Sequence, residues 1–392
     1  MNILILSFYY PPDLSAGSFR TTTLVKALLD QLPENAHIEL LTTLPNRYSS
    51  YNSEAPELEE HPRLSIRRVA LPAHKSGMLD QARAFFVYAN FVRSIVRGQR
   101  YSLVYATSSR LMTAALGAFV SRMSKAPLYL DIRDIFVDTI TEVLPRKIIL
   151  LVRPVFSVIE RLTISSARKV NLVSAGFMPY FKGKYPRQCY SIFTNGIDDE
   201  FLEVQPTTCA ASSSRVLEVI YAGNIGEGQG LHNIIPEIAL RFEGQLRFRL
   251  IGDGGRLLQL KEAIVKTGCT NVEIISPVKR NELIKIYQTA DVLFLHLNDY
   301  DAFRKVLPSK LFEYAAIGKP IWAGVAGYAA EFIKEHIDNA VVFAPCNADA
   351  AVHSFEYLRL TTKPRIAFVE CFSRKTIQQN MALDVITTAE KV

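Results

Sequence analysis

A buried strand followed by a glycine-bearing loop and a helix recurs along this chain, and this pattern constrains the fold more than any other feature. It is clearest after the strands predicted at residues 2–7, 216–222 and 246–251. Strands that alternate with helices favour a doubly wound α/β domain, in which ligands bind at the carboxyl ends of parallel strands. We therefore expect the loop glycines, Gly17 and Gly223 among them, to let backbone approach a ligand closely.

The length of 392 residues allows two large domains. A segment rich in Ser, Thr, Ala and Pro at residues 205–214 has the composition of a linker. We therefore predict an N-terminal domain at residues 1–204, a second domain at residues 215–364 and terminal helices at residues 365–392.

Residues 306–323 predict a short helix with a phosphate seat at its N-terminus. Pro308 suits a first helical turn, and Gly318 can close the helix in a left-handed cap. The helix end and Lys310 would bind a diphosphate, while Glu313, one turn further on the same face, would bind ribose hydroxyls. The candidate ligands are Ser309, Lys310, Leu311 and Glu313. The alternative is a surface helix with a local Lys–Glu pair.

Two glycine-rich loops in the second half are further candidates for anion binding. Residues 223–230 read Gly-Asn-Ile-Gly-Glu-Gly-Gln-Gly before a helix, a composition that can cradle phosphate with backbone N–H groups. Residues 252–255 read Gly-Asp-Gly-Gly, for which closely packed backbone is an equally good explanation. The candidate residues are Gly223, Asn224, Gly252, Asp253 and Gly254.

Six segments match one enzyme family in order and spacing. They are residues 7–20, 193–198, 221–231, 251–255, 289–292 and 306–323. Through them the chain resembles the retaining GT-B glycosyltransferases of family four over nearly its whole length. The resemblance implies two doubly wound Rossmann-like domains facing across a cleft, with a final helix that crosses back to the first domain. It also implies transfer of a sugar from a nucleotide-sugar, for which UDP is favoured over GDP, with retention of configuration and without a metal ion or other cofactor.

The resemblance also assigns individual roles. The loop at Val278 would hold the nucleotide base through its backbone. A polar residue near Asp134 would approach the donor sugar or the acceptor, which makes Asp134 a candidate general base. Pairing of Asp131 with Arg133 is the alternative explanation of that cluster.

The sequence departs from the family where cations usually neutralise the leaving diphosphate. Relatives usually carry Arg at the position of Asn224 and Lys at the position of Gln229. The expected replacements are Lys310 and Arg304. Position 305 is Lys where relatives have a second Glu, so the contact that this carboxylate makes with the sugar is left unassigned. The spacing of residues 299–301, Asp-Tyr-Asp, occurs in metal sites of another glycosyltransferase class, but the resemblance is to a metal-independent one.

The positive charge lies in the first half of the chain. Residues 1–200 hold 24 Lys and Arg against 17 Asp and Glu, whereas residues 201–392 hold 21 of each. Residues 83–100 and 144–169 predict basic amphipathic helices, which bind anionic membrane surfaces. The alternative is an ordinary core-facing helix with a solvated basic side. We expect peripheral contact with the inner face of a bacterial inner membrane and a polyprenyl-diphosphate-linked sugar as acceptor, as in surface polysaccharide, lipopolysaccharide or O-antigen synthesis.

Other classes are constrained by what the sequence contains. Five scattered cysteines without a Cys-x-x-Cys pair predict neither a zinc site nor a disulfide framework, and the start lacks a basic signal-peptide region. These features predict a cytoplasmic protein. A GT-B epimerase acting on UDP-N-acetyl sugars remains an alternative. A nucleic-acid-binding protein would also explain the basic half, but no motif that reads bases appears, so we expect no nucleic-acid partner.

Overall fold

The computed structural model describes residues 1–13, 15–46, 54–72, 78–108, 111–143, 146–202 and 215–390. The chain forms two compact units, the first from residues 1–195 with 374–392 and the second from residues 196–373. The linker predicted at residues 205–214 lies outside the described residues.

Strands and helices alternate along most of the chain, as the sequence predicts. The strands are β1 (Asn2–Leu6), β2 (His37–Thr43), β3 (Leu58–His61), β4 (Leu64–Val69), β5 (Leu103–Thr107), β6 (Leu128–Ile132), β7 (Lys169–Leu172), β8 (Tyr190–Ile192), β9 (Leu217–Ala222), β10 (Leu246–Ile251), β11 (Val272–Ile275), β12 (Val292–His296), β13 (Ile321–Gly324) and β14 (Ala340–Phe343). The helices are α1 (Ala16–Gln31), α2 (Met78–Val96), α3 (Leu111–Ser124), α4 (Phe136–Val143), α5 (Arg146–Ser166), α6 (Met178–Lys184), α7 (Asp199–Leu202), α8 (Leu231–Arg241), α9 (Leu257–Thr267), α10 (Arg280–Thr289), α11 (Lys310–Ile317), α12 (Tyr328–His336), α13 (Ala348–Phe355), α14 (Ile366–Cys371) and α15 (Arg374–Glu390).

The first unit is built on one sheet. Within the described ranges its strand order is β3-β4-β2-β1-β5-β6-β7-β8, and the pairs are parallel except β3 with β4. The order reverses at β1, because β1 pairs with β2 on one side and with β5 on the other. Ser15 caps α1 by accepting a hydrogen bond from the Ser18 N–H at 3.1 Å.

The second unit has a sheet whose described strands are all parallel, in the order β11-β10-β9-β12-β13-β14. The order reverses at β9, which lies between β10 and β12. Strand reversal opens a crevice at the carboxyl ends of the strands, so the loops after β9 and β12 lie where doubly wound sheets bind ligands.

The chain passes from the first unit to the second after residue 195 and returns after residue 373, so both boundaries lie at other residues than those predicted. Residues 196–202 belong to the second unit, because Ile197 forms a parallel bridge with Ser373 and its N–H donates to Phe372 O at 2.8 Å. Helix α14 also packs in the second unit, where Phe368 joins the core around Phe312. Helix α15 belongs to the first unit, where Met381 packs with β1 and β2 in one core cluster.

Arg20 of α1 lies at the centre of a buried polar cluster in the first unit. Its guanidinium is fully buried and forms a salt bridge with Asp131, from Nε to Oδ2 at 2.8 Å. It also donates to the carbonyls of Phe193 and Thr194 at 2.8 and 2.7 Å. The Asp131 carboxylate, in β6, therefore accepts hydrogen bonds from Arg20 of α1, Tyr105 and Asn171 rather than from its neighbour Arg133.

The two basic amphipathic segments differ in what their apolar sides contact. In α2 the apolar residues Tyr88, Val92 and Val96 are buried, which fits the alternative of a core-facing helix. In α5 a row of apolar side chains is exposed instead. This row, called here the α5 stripe, consists of Leu151, Val155, Val158 and Leu162. Across the described ranges, no helix is both long enough and apolar enough to cross a bilayer.

Candidate functional site

The candidate site lies at the carboxyl edge of the second sheet, where β9 separates β10 from β12. The glycine-rich loop at residues 223–230 follows β9, and the Gly-Asp-Gly-Gly turn at residues 252–255 follows β10. Helix α11 carries the predicted phosphate seat and leads into β13. The topology thus brings three predicted anion-binding segments to the same sheet.

Gly223 and Lys310 are in close contact. A side-chain carbon added at Gly223 would lie 2.1 Å from Lys310 Nζ, and the Gly223 φ of 139° favours glycine in any case. The ammonium group also lies 5.1 Å from the centre of the Tyr221 ring, within cation–π range. The sequence prediction that Lys310 and the first glycine loop act at one place is therefore consistent with the geometry, which puts a cation against the backbone of that loop.

The two glycine turns are joined by backbone hydrogen bonds. Ile225 N–H donates to Asp253 O at 2.9 Å, and Arg256 N–H donates to Ile225 O at 2.9 Å. Gly252 packs so closely that an added side-chain carbon would lie 1.8 Å from Gly223 O. Close backbone packing therefore accounts for Gly252, and Gly254 lies similarly against Ile225 O.

Asn224 and Gln229 form a neutral pair across the first glycine loop. The Asn224 side-chain amide donates to Gln229 Oε1 at 2.8 Å. Gly226 lies beneath this pair, since an added side-chain carbon would be 2.3 Å from Asn224 Nδ2. The two positions where relatives carry cations thus hold amides that close the loop on itself.

Helix α11 forms where the sequence predicts a short helix between Pro308 and Gly318. It begins at Lys310 after Ser309, and Gly318 ends it in the left-handed conformation, with φ of 78°. The side chains of Leu311 and Phe312 are fully buried in the core, whereas Lys310 and Glu313 are only partly buried. The Leu311 N–H donates to Pro308 O at 3.1 Å, so this predicted phosphate donor already has a backbone acceptor.

Glu313 lies in the first turn of α11 with its carboxylate about one-seventh exposed, at 14%. Arg280, the first residue of α10, approaches Glu313 Oε1 at 3.7 Å, and the Tyr287 hydroxyl lies 3.5 Å from Oε2. Val278 lies in the loop before α10 and packs partly against the same core. Arg280 could not be identified from local sequence patterns, because Glu313 is 33 positions away in the chain.

Arg304 is placed differently from Lys310. It is half exposed and pairs with the two acids of the Asp-Tyr-Asp segment, at 3.2 Å from Asp299 and 3.6 Å from Asp301. These aspartates are thus engaged by an arginine. In the part of the chain that the structure describes, no cluster of three or more His, Cys, Asp or Glu side chains has the arrangement of a metal site.

His296 is a further residue of this edge that the sequence analysis did not single out. It ends β12, and burial lowers its pKa to about 4, so the imidazole is neutral at pH 7. Cys346 N–H donates to Nε2 at 3.0 Å, which leaves Nδ1 to carry the proton and donate to Gln229 O at 2.6 Å. His296 therefore holds the end of the first glycine loop. Its position at the carboxyl end of a central strand is the signal that could have identified it.

The remaining candidates, Gly17 and Asp134, belong to the first unit. Gly17 lies in the first turn of α1, where its carbonyl accepts a hydrogen bond from the Thr21 hydroxyl at 2.9 Å. Asp134 is exposed and follows β6 by two residues. Both lie after the carboxyl ends of central strands of the first sheet, as the sequence analysis expects.

Comparison with known proteins connects this geometry to one family. Residues 212–370 match the family described as glycosyl transferases group 1. The chain is also 31% identical over 100 residues to WcaI of Escherichia coli K12, which is named for a glycosyl transferase role in colanic acid biosynthesis. That match covers 26% of this chain and 24% of WcaI.

Solved structures match over nearly the whole chain at low identity. Alr3699/HepE of Anabaena, solved with UDP-glucose, has a TM-score of 0.70 and 18% identity, covering 99% of this chain and 100% of that one. WaaG, described as a glycosyltransferase involved in lipopolysaccharide biosynthesis, has a TM-score of 0.63 and 13% identity, covering 99% and 98%. The predicted GT-B fold class is thereby confirmed, and the resemblance to the family is confirmed over residues 212–370.

Proposed function

Because residues 212–370 match the glycosyl transferases group 1 family, we propose that this protein is a glycosyltransferase that moves a sugar from a UDP-linked donor to a lipid-linked sugar acceptor. The transfer retains anomeric configuration and needs no metal ion. The protein works in the cytoplasm, at the inner face of a bacterial inner membrane, in surface polysaccharide or lipopolysaccharide synthesis. The WcaI and WaaG matches support the synthetic role, and the UDP-glucose complex of HepE supports the donor.

The observation that carries this proposal is the contact of Lys310 with the first glycine loop. As the bond from the anomeric carbon to the diphosphate breaks, negative charge grows on the leaving oxygen. A cation and helix N–H groups that are already in place stabilise that charge without reorganising during the reaction. Lys310, the backbone at Gly223 and the end of α11 at Ser309 supply this arrangement.

The nucleoside part of the donor would occupy the neighbouring residues. Glu313 would accept hydrogen bonds from the ribose hydroxyls, and the backbone at Val278 would face the base. Asn224 would donate an amide hydrogen bond to the diphosphate, a weaker contribution than the arginine of relatives gives. Asp253 would act mainly through the backbone of its turn, since Asp253 Oδ1 accepts from Gly254 N–H at 2.7 Å.

Two further residues are proposed to act at the reacting bond. Arg304 would supply a second cation if it exchanged its half-exposed contacts with Asp299 and Asp301 for the diphosphate. Asp134 would accept the proton of the attacking acceptor hydroxyl, a role that needs an ionised carboxylate within hydrogen-bond reach of the acceptor.

Purified protein incubated with a panel of UDP-sugars is expected to release UDP from at least one of them by slow hydrolysis. The rate should be the same in chelator as in buffer, since Lys310 and the glycine loop supply the charge that a metal would otherwise supply. Conversion of a UDP-N-acetyl sugar to its epimer would instead support the epimerase alternative. Activity that disappears in chelator and returns with magnesium or manganese would assign Asp299 and Asp301 as ligands.

The proposed membrane contact rests on α5. Leu151 is 76% exposed and Leu162 is 57% exposed, and they lie with Val155 and Val158 at spacings of three and four residues along one side of the helix. Arg153 and Arg161 are exposed on the same helix. Exposed apolar side chains interspersed with arginines complement an anionic bilayer surface. The excess charge of the first half of the chain is positive, so it is attracted to that surface.

Binding to anionic vesicles is expected to exceed binding to neutral vesicles and to fall as salt rises. Arg153→Glu with Arg161→Glu should weaken vesicle binding by at least about tenfold, since each basic residue near an anionic surface contributes on the order of 1 kcal/mol. Leu151→Ser with Leu162→Ser should weaken it as well, because it removes apolar area from the contact. Vesicle flotation measures both effects.

Phe86→Ser is the matched control, because Phe86 is exposed on α2, a helix whose other apolar side is buried. It should leave vesicle binding unchanged, and all variants should keep the wild-type affinity for UDP. Equal binding to neutral and anionic vesicles, or none at low salt, would contradict the membrane contact and favour a soluble acceptor.

A further inference from the structure

Arg280 lies among three carboxylates of the second unit. Its guanidinium forms a salt bridge with Asp198, contacts Glu200 from Nε to Oε2 at 3.0 Å, and lies 3.7 Å from Glu313 Oε1. The guanidinium lies over the ring of Phe201, with its carbon 4.8 Å from the ring centre. Asp198, Glu200 and Phe201 belong to the segment in and around α7, whereas Glu313 belongs to α11.

The Arg280 guanidinium lies where several negative charges act on it. One guanidinium faces three acidic side chains, and both Arg280 and Glu313 are only 14% exposed. Although burial opposes the charged form, the carboxylates of Glu313, Asp198 and Glu200 raise the pKa of Arg280, so it stays charged. An ion pair away from bulk water is screened much less than one on the surface. Removal of Arg280 would therefore leave Glu313 beside other acids without this cation.

The contact with Glu313 differs from the one with Asp198. At 3.7 Å, Arg280 is further from Glu313 than the 2.7–2.9 Å of a charge-assisted hydrogen bond, while it bonds Asp198 directly. The direct bonds to the α7 segment fix the position of the guanidinium. Its charge then attracts the Glu313 carboxylate from nearby, which favours one orientation of that side chain.

We propose that Arg280 is a positioning residue for nucleotide recognition, which keeps the Glu313 carboxylate oriented to accept hydrogen bonds from the ribose hydroxyls. The inference rests on the proposed function, because it takes Glu313 as the ribose ligand. It adds Arg280 of α10 to the site, and the contribution of Arg280 to nucleotide affinity depends on those hydroxyls. Arg280 itself touches neither the diphosphate nor the reacting atoms in this assignment.

The test compares UDP with 2′,3′-dideoxy-UDP, which lacks both ribose hydroxyls. Calorimetric affinities are measured for the wild type and for Glu313→Ala, Arg280→Met and Arg280→Lys. The wild type is expected to prefer UDP by roughly tenfold or more, as charge-assisted hydrogen bonds to the hydroxyls predict. Arg280→Met should bring that preference close to the value of Glu313→Ala, and Arg280→Lys should restore most of it.

Arg247→Met is the control, because Arg247 is a half-exposed arginine of the same unit that pairs with Glu273. It should keep the wild-type preference. A general loss of affinity in Arg280→Met, equal for UDP and the dideoxy analogue, would mean a purely structural role and would overturn the inference. So would an unchanged preference in Arg280→Met while Glu313→Ala loses it. A wild type that binds neither nucleotide would instead refute the proposed function, and one that binds both equally would refute Glu313 as ribose ligand and this inference with it.

Discussion

Lys310→Ala and Glu313→Ala are each expected to weaken UDP binding by roughly ten- to a hundredfold, because a hydrogen bond to a charged group contributes about 1.5–3 kcal/mol. Lys310 lies against Gly223 in the loop that would hold the diphosphate, so its loss removes a positive charge from that place. Glu313 lies one turn further along α11, where its loss removes the proposed acceptor for the ribose hydroxyls. Isothermal titration calorimetry with UDP measures both effects.

Lys261→Ala and Glu262→Ala are suitable controls, since both residues are exposed on α9 of the same unit. They should bind UDP as the wild type does. If Lys310→Ala and Glu313→Ala fold normally and also keep the wild-type affinity, the N-terminal end of α11 is not the nucleotide site.

Asp131→Leu is expected to destabilise the first unit by about 3–5 kcal/mol, because removing one member of a buried ion pair leaves the other charge uncompensated. Arg20 and Asp131 are essentially inaccessible to solvent, and their side chains are 0% and 1% exposed. The orphaned guanidinium would keep its bonds to the carbonyls of Phe193 and Thr194 and lose those to the carboxylate. Urea denaturation, followed by a signal from the first unit, measures the change.

The double variant Arg20→Met with Asp131→Leu should recover part of the lost stability, since an apolar pair no longer buries a lone charge. Arg241→Ala, which breaks an exposed pair with Glu237, should change stability little.

The buried pair also makes stability depend on pH. Burial alone would raise the pKa of Asp131, but the charge and hydrogen bonds of Arg20 lower it in the folded chain. The stabilisation from the pair is therefore complete above the pKa of an unfolded aspartate, ~3.9, and is lost as the pH falls below it. Equal stability of Asp131→Leu and the wild type would show that the pair is dispensable.

Local sequence signals predicted the elements that short-range rules control. Pro308 and Gly318 mark the ends of α11 within a few residues, because a missing N–H and a left-handed cap act on the backbone where they occur. The alternation of strands and glycine turns likewise predicts the doubly wound sheets. Gly223 shows the limit of such rules. The sequence suggests that another group lies close to its backbone, but it does not identify that group as Lys310.

The side-chain pairs that organise each unit could not be predicted in this way. Arg20 meets Asp131 because α1 and β6 are brought together by the sheet order, and 111 positions separate them in the chain. The expected partner, Arg133, is nearer in sequence but does not form the carboxylate's hydrogen bonds. Hydrophobic periodicity likewise shows that α2 and α5 carry apolar residues at helical spacing, but only packing decides that Tyr88, Val92 and Val96 of α2 are covered while the α5 stripe is exposed.

The bridge between Ile197 and Ser373 makes the second unit an uninterrupted insert with adjacent ends. The first unit, in contrast, is completed by residues 374–392, whose Met381, Ala382 and Val385 belong to its core. During synthesis from the N-terminus, all of the insert leaves the ribosome before α15 does. The first unit therefore waits, with part of its core open, until α15 has been synthesised, and loss of α15 damages the unit that was begun first.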